Sequence, residues 1–450
     1  MTSVRHAAAR VLHAVDGGHT TLAAELDRER ASIADDRDRG LLGEMTTGAL
    51  RWRAELDAVL AQTSLRAIDA IDPTIRAVLR VGAYQLLHLD RVPAHAAIDE
   101  AVESTRALGH PQAAGFVNAV LRGVQRGSTA EVLPPRPATS GGRQEQLAYL
   151  STTLSHPAWL VERWMARHGF EACEAWCRFN NAAPSVTVRA ASAADTAEVL
   201  EALEEAHAGA GRSAMARDAV TLPPGALGRL PAPLRDRIVV QDEASQLVAH
   251  VVGAGPGMRC LDVCAAPGGK TDVIWRDMGE AGVLVAADRR PGRIRLLQAT
   301  LRRAGVPQRI VVLDATQPLP FDAVFDRVLV DAPCSGLGTV RRDPDLKWTR
   351  QEADLERFAV TQHVMLRRAG EAVRPGGLLV YATCSSEPEE NEAVVAAFLE
   401  SDRRFVVQPA DTGQQNEGVG AFVEGTGFLR TLPFRDGLDA FFAAVLVRAA

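Results

Sequence analysis

Three segments of this chain place reactive or ligand-seeking residues directly behind short apolar, β-branched runs. Asp331-Ala332-Pro333-Cys334-Ser335-Gly336 and Tyr381-Ala382-Thr383-Cys384-Ser385 each close such a run with a thiol. Met258 to Val263 leads into Cys264-Ala265-Ala266-Pro267-Gly268-Gly269-Lys270-Thr271. A strand that ends in a glycine-rich turn and opens a helix can cradle a cofactor, because bare backbone and a helix N-terminus face the ligand. Two further strand ends that each deliver a thiol imply covalent chemistry beside that cofactor. A buried structural pair is the plainer reading of two cysteines. Their position at strand ends, followed by Ser and Gly, argues against it.

In a doubly wound sheet, ligands collect beyond the carboxyl ends of the strands. The first such strand ends at Asp262 and the Pro267-Gly268-Gly269 turn, and Lys270 at the following helix N-terminus suits the carboxylate of a methionine group. The second ends at Asp288, placed to accept both hydroxyls of a ribose, and the third at Asp314, placed to accept from an adenine amino group. Any one of these could be a helix cap. Three in succession point to S-adenosylmethionine. Gly253-Ala254-Gly255-Pro256-Gly257 resembles a dinucleotide fingerprint but precedes the first strand, so it cannot form the strand-turn-helix that a nicotinamide enzyme requires.

Thiols beside a methyl donor suit methylation at carbon 5 of cytosine. That carbon is a poor nucleophile until a thiolate adds at carbon 6, after which a base must remove the carbon 5 proton. Asp331, three residues before Cys334, is placed to face the amidine edge of the pyrimidine. Enzymes that methylate amino groups typically carry Asn-Pro-Pro-Tyr or a close relative at this point; Asp-Ala-Pro-Cys lacks the aromatic and adds a thiol. The residues alone do not order Cys334 and Cys384.

The elements that must hold these groups follow from pattern. Short strands at Arg259–Val263, Val283–Ala287, Arg309–Leu313, Asp326–Val330 and Leu378–Ala382 alternate with helices, and Phe441–Val447 reads as a final strand. Residues 1–128 read as all-helical: Val4, Ala8, Val11 and Leu12 follow helical spacing, as do Ile75, Val78 and Leu79. Proline, glycine and serine without period mark residues 129–144 as a linker. A small α/β domain is expected over 145–235, with a strand at Ser185–Arg189, and the catalytic domain over 236–450. His88, His95 and His110, and the Cys173/Cys177 pair, are expected to be surface or core residues and not metal ligands, so no metal is expected.

At 450 residues, 47% apolar and 24% charged, the chain has the composition of a globular multidomain protein. No apolar run approaches the roughly 20 residues of a membrane span, and six cysteines suit a reducing cytoplasm without disulfides. The net charge of −6 counts weakly against a nucleic-acid partner but does not exclude one, because phosphate binding depends on local basic surface. Lysine occurs only at Lys270 and Lys347, beside the two candidate ligand segments. Arg341-Arg342-Asp343-Pro344-Asp345-Leu346-Lys347-Trp348 is expected to hold RNA phosphate and stack a base.

Asp262 to Thr271, Asp331 to Gly336, Tyr381 to Ser386 and Gln241-Asp242-Glu243-Ala244-Ser245-Gln246 together resemble the motifs of the NOL/NOP/Sun family of RNA 5-methylcytosine methyltransferases. The N-terminal helices, Phe116 to Arg122 above all, resemble a NusB-like RNA-binding domain. The domain order resembles the bacterial Sun/Fmu/RsmB branch, which methylates 16S ribosomal RNA, usually at cytosine 967. The resemblance implies an α/β Rossmann-like class I methyltransferase domain, with a mainly parallel sheet and helices on both faces. An all-α NusB-like domain and a small α/β domain would precede it. It also implies Cys384 as nucleophile, Cys334 in product release and Asp331 at the target base. The cofactor set would be Cys264, Ala265, Ala266, Pro267, Gly268, Gly269, Lys270, Asp288, Arg293, Asp314 and Asp331. The partner would be 16S rRNA, free or in a partial small-subunit particle, and the protein a cytoplasmic monomer. Leu432-Pro433-Phe434-Arg435-Asp436-Gly437 lacks a histidine common in the family, and Ala440 stands where glycine is usual. A non-catalytic RNA-binding assembly or antitermination factor is the competing class; an intact cofactor loop and both thiols count against it.

Overall fold

Helix starts in the first part of the chain are set by side-chain caps. Ser3 accepts from the amide of Arg5, Asp35 from Arg37 and Asp38, and Asp72 from Thr74 and Ile75, with Pro73 in the first turn. Each satisfies amides that have no partner inside the helix. The computed structural model describes residues 3–18, 20–207, 209–216, 218–410 and 418–450. Contacts divide the chain into two compact units, Met1–Ala183 with Val340–Glu352, and Pro184–Thr339 with Ala353–Ala450.

The first unit is helical. Val4–Asp16, Leu22–Arg30, Asp36–Arg51, Arg53–Ser64, Pro73–His88, Ala94–Ala107 and Ala114–Arg126 enclose a core that includes Leu12, Leu42, Met45, Leu60, Leu79 and Leu121. Helices Arg143–Ala148, Ala158–His168 and Phe170–Asn181 fall in the same unit, although they lie beyond the proline-rich stretch. Trp164 and Trp176 stack there with ring centroids 4.2 Å apart, and Cys173 and Cys177 are buried as small core residues. Among the described residues no group of His, Cys, Asp and Glu could hold a metal ion, and no helix is long and apolar enough to cross a membrane.

Residues 340–352 correct an expectation. Lys347 is not available to RNA: it is 1% exposed, and its Nζ donates to the carbonyls of Arg51 (2.9 Å) and Ser155 (2.6 Å). Burial above all, with the charge of Arg51, holds its amine well below the usual lysine range. The Trp348 indole donates to the Leu50 carbonyl (2.6 Å) and already carries the Arg53 guanidinium over its ring. Arg341 lies over Phe179 and donates to the carbonyl of Ala183. The segment is basic and aromatic because it fastens carbonyl groups and rings of its own unit.

In the second unit, β1 (Val186–Ala190), β2 (Gly211–Arg212), β3 (Ala219–Leu222) and β4 (Ile238–Val240) form an antiparallel sheet in the order β2-β3-β1-β4. Pairing of β4 with β1 carries this sheet past residue 235. The larger sheet holds β5 (Arg259–Asp262), β6 (Val283–Asp288), β7 (Ile310–Val312), β8 (Phe325–Asp331), β9 (Val373–Thr383), β10 (Phe405–Gln408), β11 (Leu429–Thr431) and β12 (Phe441–Arg448). Its order is β10-β12-β9-β8-β5-β6-β7, with β11 on β12; β7 through β9 run parallel, and β12 returns antiparallel to β9. The chain winds outward from β5 in both directions, so the switch point, where such sheets bind ligands, lies between β5 and β8. Two apolar clusters pack against this sheet, one including Leu297 and Leu301 and the other Leu366 and Phe398.

Lys347→Ala should lower the unfolding free energy by about 2–4 kcal/mol, since it leaves a cavity and two unsatisfied carbonyls. Thermal unfolding measures this; an unchanged melting temperature with weakened RNA binding would restore Lys347 as an RNA contact.

Candidate active site

The loop after β5 is shaped by backbone demands. The amide of Val263 donates to Leu329 of β8 (2.9 Å) and that of Ala265 to Ala287 of β6 (2.8 Å), so the loop is pinned on both sides of the switch point. Gly268 adopts φ 107°, and a Cβ there would stand 3.0 Å from the Leu297 side chain. Only glycine suits both constraints. The helix Gly269–Asp277 then begins with Lys270.

Carboxylates stand at the strand ends as the sequence suggests. Asp262 is 1% exposed; its Oδ2 accepts from the Thr271 hydroxyl (2.7 Å), while its Oδ1 is buried without a hydrogen-bond partner. Burial pushes its carboxyl from 3.8 up to about 7. Asp288 accepts from the amide of Arg290 through Oδ1, and its Oδ2 is buried without a hydrogen bond, with Arg293 at 3.6 Å. Arg293 also donates to the carbonyl of Ala266. Asp314 is held by the amide (3.0 Å) and hydroxyl (2.7 Å) of Thr316, which lower its carboxyl. Two buried carboxylate oxygens with unused acceptor capacity are costly unless a ligand meets them.

Lys270, expected at the carboxylate of a methionine group, meets an aspartate of the neighbouring strand. Its Nζ meets Asp331 Oδ2 at 2.8 Å, because β8 runs beside β5 and ends in that aspartate. Burial opposes the charge, but Asp331 outweighs it and keeps the ammonium above the ordinary lysine range. The Cys384 sulfur lies within the field of the same ammonium.

The two thiol loops meet. Cys334 Sγ and Cys384 Sγ are 3.3 Å apart. Ala332 donates to the carbonyl of Ala382, and Gly338 to that of Cys384 (both 2.9 Å). A Cβ on Gly338 would lie 2.0 Å from the carbonyl oxygen of Ala440 and 2.7 Å from that of Cys384, so glycine is required. On the buried side, the residues after the thiols also meet, with the Ser335 and Ser385 hydroxyls 3.2 Å apart. Both donate to the carboxylate of Glu390, which is 0% exposed and also accepts from the Ser335 amide (2.8 Å) and Gln362 (2.9 Å). One carboxylate thus ties both thiol loops into one body. The nearness of Cys384, then burial, pushes the Cys334 thiol well up. Cys264 is also raised, by burial and by Asp262, Asp331 and Asp288.

Glu390, Gln362 and Gly338 are absent from the sequence reading. The repeated Cys-Ser dipeptide was the available signal: two copies at strand ends put thiols on one side and hydroxyls on the other. Arg189 was also missed. From β1 it donates to Gln241 (2.7 Å) and to the carbonyl of Gly269 (3.2 Å), and it pairs with Asp272. Arg276 reaches back to the carbonyls of Ala190 and Ala191. The small sheet therefore grips the helix that follows the cofactor loop, and Gln241 belongs to that grip.

Sheet order, cofactor loop and strand-end carboxylates define a class I methyltransferase fold. Residues 251–447 match the 16S rRNA methyltransferase RsmB/F family, 2–126 the NusB family, and 156–225 the ferredoxin-like domain of RsmF/B-like methyltransferases. The chain is 35% identical to the probable ribosomal RNA small subunit methyltransferase B of Bacillus subtilis, over 92% of this chain and 91% of that protein. It is 37% identical to the ribosomal RNA small subunit methyltransferase B of Pseudomonas putida, over 88% of each. The solved structure of PH0851 covers 99% of both chains with a TM-score of 0.79 at 24% identity, which shows a shared fold. The chain belongs to the ribosomal RNA small subunit methyltransferase B family.

Glu390→Ala should cost about 2–4 kcal/mol of stability and about 100-fold in methyl-transfer rate, because the thiols lose their common anchor. If folded variant turns over at the wild-type rate, the carboxylate serves stability alone. Asp262 yields a pH signature. Its carboxyl is raised in the folded state, so its contribution is present below 3.8 and is lost as pH rises through about 7. The stability of ligand-free wild type relative to Asp262→Asn should decline across that window in unfolding titrations; a flat difference would contradict the burial argument.

Proposed function

We propose that this protein transfers a methyl group from S-adenosylmethionine to carbon 5 of a cytosine in small-subunit ribosomal RNA, through a covalent cysteine–cytosine adduct. The observation that carries the reading is the 3.3 Å approach of two thiols from adjacent parallel strands, beside Asp331. A methyltransferase acting on an amino group needs neither thiol.

The residues present fit the cofactor. The Asp288 oxygen that accepts no hydrogen bond suits the ribose hydroxyls, Asp314 the adenine amine, and the backbone of Cys264, Ala265, Ala266, Pro267, Gly268 and Gly269 the methionine portion, with Arg293 bracing the loop. Asp262 and the Asp331–Lys270 pair complete the set. When bound, the cofactor supplies a methyl group on a positively charged sulfur.

Cys384 attacks carbon 6 of the cytosine as a thiolate. Asp331 accepts from the 4-amino group and favours a proton on N3, which draws off the electron density that the thiolate brings. Carbon 5 takes the methyl group. Cys334, whose sulfur lies 3.3 Å from that of Cys384, assists the last stage, in which a base takes the carbon 5 proton, N3 gives up its proton and the carbon 6–sulfur bond breaks to release Cys384. The family's branch directs the expectation to cytosine 967 of 16S rRNA, with a cytoplasmic monomer acting on free RNA or a partial particle.

Labelled methyl transfer to unmodified small-subunit RNA tests this. Wild type should yield 5-methylcytosine, Cys384→Ala should be inactive by at least about 1,000-fold, and Cys334→Ala should accumulate a protein–RNA adduct. Exchanged behaviour of the two variants would reverse the roles, and methylation at an amino group would overturn the mechanism.

A further inference from the structure

Arginine is common in this chain, but one stretch differs from the rest in what it omits. Residues 289–313 hold Arg289, Arg290, Arg293, Arg295, Arg302, Arg303 and Arg309 and no acidic residue. With 56 acidic residues in 450, roughly three would be expected in a stretch of that length. A general preference for arginine over lysine adds cations without removing carboxylates, so it does not explain the gap.

The fold makes a surface of them. Helix Pro291–Arg303 buries Ile294, Leu297 and Leu301 against the sheet, and all seven arginines are exposed. Arg289 pairs with Asp314, and Arg293 with Asp288. Among the described residues no carboxylate pairs with Arg290, Arg295, Arg302, Arg303 or Arg309. Arg295 and Arg302 stand two turns apart on one flank of the helix, with Arg303 next to them. Arg309 precedes β7, the terminal strand of the sheet. The row starts at Arg289, next to Asp288 at the carboxyl end of β6, and runs about 20 Å along the helix toward the amino end of β7. Like charges gathered without counter-ions repel one another, and a polyanion relieves that cost. Arg302 and Arg303 also suit a helix C-terminus; Arg290, Arg295 and Arg309 do not share that account.

We infer that the exposed face of helix Pro291–Arg303, continued by Arg309, binds the phosphate backbone of single-stranded RNA flanking the target nucleotide. This rests on RNA being the substrate and adds where its backbone runs. The geometry suits a strand leaving the cleft between the ends of β5 and β8. Exposed Leu296 and Val312 offer apolar contact for sugars or bases along the same path.

The test is the triple variant Arg295→Ala/Arg302→Ala/Arg303→Ala, with the lysine triple as control, assayed for RNA binding and methyl transfer from 50 to 200 mM salt. Three lost phosphate contacts should flatten the slope of log K against log salt by about 2, which narrows the affinity change over that range about 20-fold. KM for RNA should rise while kcat at saturating RNA, cofactor affinity and melting temperature hold, and the lysine triple should retain most of the binding. An unchanged KM and slope would overturn the proposal. Weaker binding at an unchanged slope would also overturn it, since the lost contacts would not be to phosphate. Binding is read without turnover, so wild type that binds RNA but methylates no cytosine faults the proposed reaction and not this surface.

Discussion

A single buried carboxylate organises the reacting end of the molecule. Glu390 accepts from both serines that follow the two thiols, from the Ser335 amide and from Gln362. Burying an anion is costly unless its lone pairs are filled, and here four donors fill them. The arrangement cannot be half made: a displaced loop would strand the charge. That all-or-none character lets two loops 50 residues apart in sequence present sulfurs in contact.

The cofactor side follows the opposite rule. Asp262 and Asp288 each keep a buried oxygen without a hydrogen bond, so the protein holds acceptor capacity in reserve where a ligand is expected. The Lys270–Asp331 pair joins the two sides, because parallel pairing of β5 and β8 sets their ends next to each other. Arg189 and Arg276 brace this loop and its helix from the small sheet, which makes that sheet part of the cofactor site's support.

The two lysines show how one residue type serves different ends. Lys270 is buried beside a carboxylate, which raises its proton affinity; Lys347 is buried beside carbonyls, and burial lowers its own. Rarity and neighbouring motifs suggested similar roles for both. What separates them is the nearest counter-charge, which sequence spacing does not reveal.

Strand positions, the cofactor loop and the strand-end carboxylates were legible from sequence because they are local: apolar runs, a glycine turn and an acidic residue at a run's end need no distant partner. The β5 to β9 strands lie within a few residues of their expected places for that reason. The pairing of Cys334 with Cys384, the Glu390 hub, the turn of Lys270 toward Asp331 and the structural use of Lys347 and Trp348 were decided only by the fold. Each depends on contacts between segments far apart in the chain, and burial sets both their geometry and their charge. The sequence determined which chemical groups stand at the strand ends; tertiary structure decided which of them meet, because the order of strands in a sheet is not written in the order of the chain.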